Sequence, residues 1–393
     1  MANDELLKLS TPTIPAVGAR RSRRFAIPYC DGFVYRIGVN AALRFKDSTR
    51  EFIGECTNRP FSIPPGGSGR KSWKWAGALV LLLANLLAGT GAVARAEWPA
   101  RIFAPYMYAG TGDHFKLTDC DDACGQKFYT LAFIIADKSN NPAWFGQIPM
   151  ERHFYAEQIA AIRARGGDVI ISFGGEGGTE IALVETNVDA LAAKYQSVID
   201  PYHFTWLDFD IEGDALTKHR DASERRNAAI ATLQQRHPGL RISYTLPVDP
   251  DGISGASRKL LANARTIGVK VYSVNVMVMD FGSRFSQGKK MSDVSIASAM
   301  KAHEQCVKID SAIGIGLTPD LGQNDVKSEI FSLDDAGALE AWGAAQPWVC
   351  SVSFWDSNRD SADHSGRHGD TSSGVEQKPW AFTRIFQRFA LGK

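Results

Sequence analysis

The chain has 393 residues, enough for two average domains or one large barrel, and 44 Lys/Arg against 43 Asp/Glu give a net charge of +1. That balance hides a split, because residues 1–96 carry 14 basic against 6 acidic side chains, leaving 30 against 37 downstream. A mildly acidic body argues against binding nucleic acid or another polyanion by electrostatics.

Residues 1–69 lack a sustained hydrophobic period and are rich in Pro, Gly and Arg. They are expected to be a disordered leader or an overextended translation start. Arg70, Lys71 and Lys74 then precede an uncharged run over residues 76–94, and Ala94-Arg-Ala96 supplies the small residues that a signal peptidase reads. Residues 70–96 are therefore expected to be a signal peptide cleaved after Ala96, with export to the periplasm or the medium. The competing reading is an uncleaved membrane anchor, since the run is just long enough to span. Either way the basic flank puts the following residues outside. Cysteine usage agrees with export. Cys30 and Cys56 belong to the leader, and the remainder has an even number: Cys120, Cys124, Cys306 and Cys350. Cys120 and Cys124 frame Cys-Asp-Asp-Ala-Cys in an expected loop and could close a small disulfide ring. Cys306 and Cys350 would then pair or stay as buried thiols.

From Glu97 onward, apolar β-rich runs alternate with segments of helical period. Strands are expected at 101–108, 128–136, 168–173, 204–212, 241–247, 269–281, 313–318 and 348–355. Helices are expected at 154–165, 188–199, 222–236, 257–266, 294–307, 333–345 and 379–389, the last opening on Pro379 at the favoured first position. Eight strands alternating with helices is the count of a single α/β (β/α)8 TIM barrel over residues 97–393. A doubly wound open sheet is the alternative. Ala109-Gly-Thr-Gly112 after the first strand, however, lacks the spacing and the helix of a phosphate loop.

The fourth strand reads Phe204-Thr-Trp-Leu-Asp-Phe-Asp-Ile-Glu-Gly213. Asp208, Asp210 and Glu212 recur every second residue, so they share one face. Leu207, Phe209 and Ile211 take the other face, which must be buried as well, as in a parallel sheet covered by helices. Like charges in such a row cannot all ionise, and a proton held near neutrality is what a general acid needs. A divalent metal site or a solvated edge is the competing reading. No His lies nearby on this strand, and Trp206 and Phe209 flank the acids.

A barrel carries its active residues at the C-terminal strand ends. Those ends read Tyr106-Met-Tyr108, Ser172-Phe-Gly-Gly175, Glu212, Met277-Val-Met-Asp280 and Ser353-Phe-Trp355. Carboxylates and aromatic rings thus converge on one rim. That combination suits sugars, which offer hydroxyls at their edges and apolar faces to stack on.

Leu207-Asp-Phe-Asp-Ile-Glu212 resembles the D-x-x-D-x-D-x-E signature of the family 18 glycoside hydrolases, the chitinases. Ser172-Phe-Gly-Gly175 is similar to their S-x-G-G motif, and Met277-Val-Met-Asp280 to their M-x-Y-D. Trp355 fits their strand-eight tryptophan, and the likeness spans about residues 100–390. Two departures stand out. Thr205 replaces the first Asp of the signature, and Met279 replaces the Tyr that bonds the substrate's acetamido oxygen. Tyr244 or Tyr106 is the candidate substitute for that hydroxyl.

The resemblance implies endo-hydrolysis of β-1,4-N-acetylglucosamine linkages in chitin, with no metal or organic cofactor. The substrate's own N-acetyl oxygen would attack, rather than a second carboxylate. Glu212 would be the general acid and base, Asp210 would orient the acetamido group, and Asp208 would share a proton with Asp210. Asp280 would position the sugar, and Trp355 would form its floor beside Met277 and Met279. About fifteen residues separate Thr318 from Leu333. That is too few for the α+β insertion walling the groove of exo-acting relatives, so an open cleft and poorly processive cutting are expected. A monomer is expected too, with chitin or its oligosaccharides as the partner. The alternatives are an endo-β-N-acetylglucosaminidase acting on glycans, and a sugar-binding barrel without catalysis. The latter commonly lacks the acid that Glu212 supplies here.

Overall fold

The computed structural model describes residues 97–110, 115–362 and 371–392. The expected leader and signal, with Cys30 and Cys56, lie outside the described residues. The strands are β1 (Ile102–Phe103), β2 (Tyr106–Tyr108), β3 (Phe128–Ala136), β4 (Pro142–Trp144), β5 (Ile148–Pro149), β6 (Asp168–Gly174) and β7 (Trp206–Asp210). They continue as β8 (Arg241–Asp249), β9 (Gly252–Ile253), β10 (Ser273–Met277), β11 (Gly314–Thr318), β12 (Gly322–Gln323), β13 (Ile330–Phe331) and β14 (Val349–Val352).

Parallel pairs join β3, β6, β7, β8, β10, β11 and β14 in that order. β14 then pairs with β1, and β2 pairs with β3, so the first strand closes the ring in two halves. The break falls at Ala104-Pro105, where proline has no N–H to donate. Ala104 N still reaches Val352 O at 3.1 Å, and Pro105 O accepts from Thr130 N at 2.9 Å. The result is an eight-stranded α/β barrel. β6 shows why it closes on itself: all seven of its residues are buried, as befits a strand packed on both faces.

Helices form the outer layer: α1 (Leu117–Cys124), α2 (Ala156–Ala164), α3 (Ile181–Val184), α4 (Val188–Tyr202), α5 (Gly213–Thr217) and α6 (Arg220–Arg236). After them come α7 (Gly255–Thr266), α8 (Ser283–Ser286), α9 (Met291–Ile309), α10 (Leu333–Ala345) and α11 (Ala381–Leu391). Their starts carry local signals. Ser332 and Asp335 form a capping box on α10, and the Asn187 and Ser254 side chains cap α4 and α7. In α11, Phe382, Phe386 and Phe389 fall on one buried stripe, and Phe386 packs on Phe103 and Phe354 at 6.0 and 5.8 Å between ring centres.

Three expectations need correcting. Cys120 and Cys124 lie in a helix, α1, rather than a loop, which puts them one turn apart on the same face. Their sulfurs approach to 3.2 Å, yet all four cysteines of the barrel are free thiols, so Cys120 and Cys124 do not close the ring they could have formed and Cys306 and Cys350 take the alternative of unpaired thiols. Cys306 is buried in α9, while Cys350 sits on β14 against the Ile315 carbonyl at 3.6 Å. Finally, α11 begins at Ala381 because Trp380 adopts a left-handed backbone, φ 60°, which places Pro379 before the helix.

Candidate active site

The site grows out of β7. Register sets Asp208 between Ser172 of β6 and Ser243 of β8, and sets Asp210 between Gly174 and Thr245. Leu207 and Phe209 point the other way into the core, where Phe209 stacks on Phe173 at 5.1 Å. Gly174 has φ +98°, and a Cβ there would stand 2.1 Å from the Asp210 carbonyl oxygen. The first glycine of Ser172-Phe-Gly-Gly175 is therefore what lets β6 close against the carboxylate strand.

Asp208 is fully enclosed and accepts four hydroxyl hydrogen bonds: Tyr106 Oη at 2.7 Å, Ser172 Oγ at 2.7 Å, Ser243 Oγ at 2.6 Å and Thr245 Oγ1 at 2.9 Å. Burial raises its pKa and the four donors pull it back, leaving it above the usual carboxylate range. Asp210, one layer higher, is 7 % exposed, and its Oδ1 has no partner in the protein. Burial pushes its pKa far up, followed by the charges of Glu212 and Asp208. Glu212 stands just past the strand end, at the cap of α5. Burial and then the Glu176 charge push its pKa up to about 7, while a hydrogen bond with Asp210 works the other way. The pair therefore holds a shared proton in the neutral range.

Above the acids opens a groove of about 440 Å³. Trp355 lies across its floor, stacked on Phe133 at 5.5 Å and 16°, with Tyr106 at 5.8 Å and Tyr108 at 5.9 Å. Asp356, next in the chain, accepts from Tyr108 N at 3.0 Å and Asn358 Nδ2 at 3.2 Å, which anchors the segment carrying the tryptophan. Met277 and Met279 form part of the wall. Asp280, with φ 51°, closes that side. Its carboxylate accepts from Val326 N at 2.9 Å, and burial outweighs that bond to lift its pKa to about 6. The chain between β11 and α10 steadies this corner, for Glu329 Oε2 accepts from Phe281 N at 3.0 Å.

Glu212, Asp210, Asp280, Met277, Met279, Trp355 and Tyr106 all line one cavity, with Asp208 directly beneath. Tyr244 does not. Its neighbours Ser243 and Thr245 face inward, so alternation turns Tyr244 outward under the helices, where its hydroxyl bonds Asn227 of α6. Tyr106 does face the groove, but its hydroxyl is engaged by Asp208 and by Thr245 Oγ1 at 2.8 Å.

Sequence reasoning missed Phe133, Glu176, Asp320 and Arg359, which also line the groove. Phe133 sits inside an apolar strand and looks like any core residue. Glu176 had a signal, a lone charge in the glycine-rich turn after β6. Arg359 and Asp320 form a buried ion pair from two different loops, which no local pattern announces.

No family model matches the chain. It is 32% identical over 322 residues to a probable bifunctional chitinase/lysozyme of Escherichia coli (strain K12), covering 74% of this chain and 35% of the relative. It is 31% identical over 280 residues to endochitinase 11 of Metarhizium anisopliae, covering 67% of this chain and 53% of that one. The chain thus spans about a third and about half the length of these curated relatives. Among solved structures, the catalytic domain of the hyperthermophilic chitinase from Pyrococcus furiosus is similar at 31% identity and a TM-score of 0.68, over 76% of this chain and 97% of that domain.

Proposed function

Because the chain belongs to the family 18 glycoside hydrolases, the chitinases, we propose that it cuts β-1,4-N-acetylglucosamine linkages within chitin chains by a substrate-assisted, retaining route. The observation that carries this reading is the stacked column Asp208, Asp210 and Glu212 opening into an aromatic-floored groove.

Glu212 protonates the glycosidic oxygen, since its pKa near 7 keeps a proton available where ordinary carboxylates have lost theirs. Asp210 Oδ1 accepts the acetamido N–H, which turns the amide oxygen toward the anomeric carbon. Attack by that oxygen breaks the glycosidic bond and leaves a positively charged ring intermediate. The proton of Glu212 has left with the glycosidic oxygen; a second proton, the one Asp210 shares with Asp208, rests on Asp208, so that Asp210 stabilises the charge as a carboxylate. Glu212, now ionised, takes a proton from the incoming water, whose oxygen opens the ring intermediate with the original configuration. Trp355 stacks under the reacting sugar, and Asp280 fixes its orientation. Tyr106 serves by holding Asp208, its hydroxyl being engaged there. Met279 offers no hydroxyl for the acetamido oxygen.

The test is hydrolysis of an N-acetylglucosamine hexamer, with products and anomeric form followed in time. Retention with loss of about 10²–10⁴-fold in kcat for Glu212→Gln, binding preserved, is expected. Inverted product, or full activity in the variant, overturns the reading. The same proposal includes export, supported by the basic, apolar and small-residue pattern of residues 70–96; N-terminal sequencing of secreted protein should begin at Glu97.

A further inference from the structure

Inside the barrel, a second polar row runs from Thr318 through Asn275 to Thr245. On β10, Val274 and Val276 belong to the hydrophobic core, so alternation turns Asn275 between them toward the barrel axis. Register sets Asn275 beside Thr245 of β8 on one side and Gly316 of β11 on the other. A buried amide is costly unless both of its ends are bonded. Here they are: Asn275 Nδ2 donates to Thr245 Oγ1 at 3.0 Å, and Asn275 Oδ1 accepts from Thr318 Oγ1 at 2.8 Å. Gly316 keeps that seat open, since a Cβ there would stand 2.7 Å from Asn275 Oδ1.

The row ends on Asp208. Thr245 Oγ1 lies 2.9 and 3.1 Å from the two Asp208 oxygens and 2.8 Å from the Tyr106 hydroxyl. The contact between the two hydroxyls can run either way. Were Thr245 to accept from Tyr106, Asp208 would lose the Tyr106 proton. The Asn275 N–H aimed at Thr245 Oγ1 competes for that acceptor, which leaves both hydroxyl protons to the carboxylate. Two of the four donors on Asp208 thus depend on a side chain one step further away.

We infer that Asn275 is a positioning residue for the hydrolysis, keeping Tyr106 and Thr245 as donors to Asp208 and so setting where the proton shared by Asp208 and Asp210 rests. This rests on the chitinase reading of the same column. Without Asn275 the Asp208 anion is less well supported, and the shared proton moves from Asp210 onto Asp208. Asp210, left more anionic, then raises the proton affinity of Glu212. The titratable groups around the column are Tyr106 and Asp210 at Asp208, and Glu176 and Asp280 at Glu212. A substitution at Asn275 leaves all four in place.

The experiment follows kcat against pH on an N-acetylglucosamine hexamer for the natural protein, Asn275→Leu, Thr245→Val and the double variant. Leucine keeps the volume and removes the N–H. The alkaline limb is expected to move up by about 0.5–1 pH unit in each single variant. The double variant should move it no further than the larger single shift, because both act through one hydroxyl. Should Asn275→Leu fail to fold, Asn275→Asp carries the test, since its carboxylate takes the Thr245 proton and moves the limb up as well. An unmoved limb, or single shifts that add in the double variant, overturns the inference alone; a merely structural asparagine would lower stability and leave the limb in place. Failure of the natural protein to cut the hexamer overturns the chitinase reading itself.

Discussion

At the scale of single residues, one shared proton controls the site. Glu212, with a pKa of about 7, must be protonated to donate, so the rate on the hexamer is expected to fall as pH rises through about 7. A pH–rate profile measures this directly, and an alkaline limb starting well below pH 6 would contradict it. The same shift acts on stability. A carboxylate whose folded pKa is raised favours the fold fully below its unfolded pKa, and that contribution is lost as pH rises through the folded value. For Glu212 the window runs from the ordinary carboxylate range up to about 7. Glu212→Gln should therefore be more stable than the natural protein at pH 8, by about 1–3 kcal/mol, and nearly equal at pH 4. Urea melts at the two pH values check this. The two tyrosines separate site from scaffold. Tyr244→Phe strands the buried Asn227 Oδ1 and should cost about 1–3 kcal/mol of stability with kcat retained. Tyr106→Phe removes a donor from Asp208 and should lower kcat.

At the scale of elements, the barrel's working end is held by short connections. The segment from Pro319 to Ser332 folds back as the β12–β13 hairpin, and its Val326 and Glu329 grip the backbone and carboxylate of the Asp280 corner. Asp280 is thereby fixed in a left-handed conformation, which Asp adopts more readily than most residues with a Cβ. The closing helix α11 does the corresponding work on the outside. Its phenylalanines cover the seam where β14 meets β1, so Phe386→Ala should cost about 3–5 kcal/mol. A lowered urea midpoint with unchanged KM is the expected result, since the groove is built by other elements.

At the scale of the whole molecule, eight parallel strands place side chains at or just past each of their ends around one opening. The connection after β11 adds only a two-stranded hairpin, leaving the groove without a tall wall on that side. The proposed function therefore predicts internal cutting: the hexamer should yield trimers and tetramers early, not dimers released stepwise from an end. Chromatography of the first products distinguishes the two patterns.

The period-two spacing of Asp208, Asp210 and Glu212, and the alternation of strand and helix patterns, were enough to identify the barrel and its carboxylate column, because both are set by neighbours along the chain. Alternation also carried the information that Tyr244 faces outward, in Ser243 and Thr245, although a tyrosine near the acids looked like a substitute hydroxyl. Cys120 and Cys124 gave no sign of their helix, because a short polar Asp-Asp stretch reads equally well as a loop. Phe133 under Trp355, Glu176 beside Glu212 and the Asp320–Arg359 pair come from strands and loops far apart in sequence. Only closure of the barrel brings them to one groove, and the burial and charge they add there set the proton affinity on which the proposed chemistry turns.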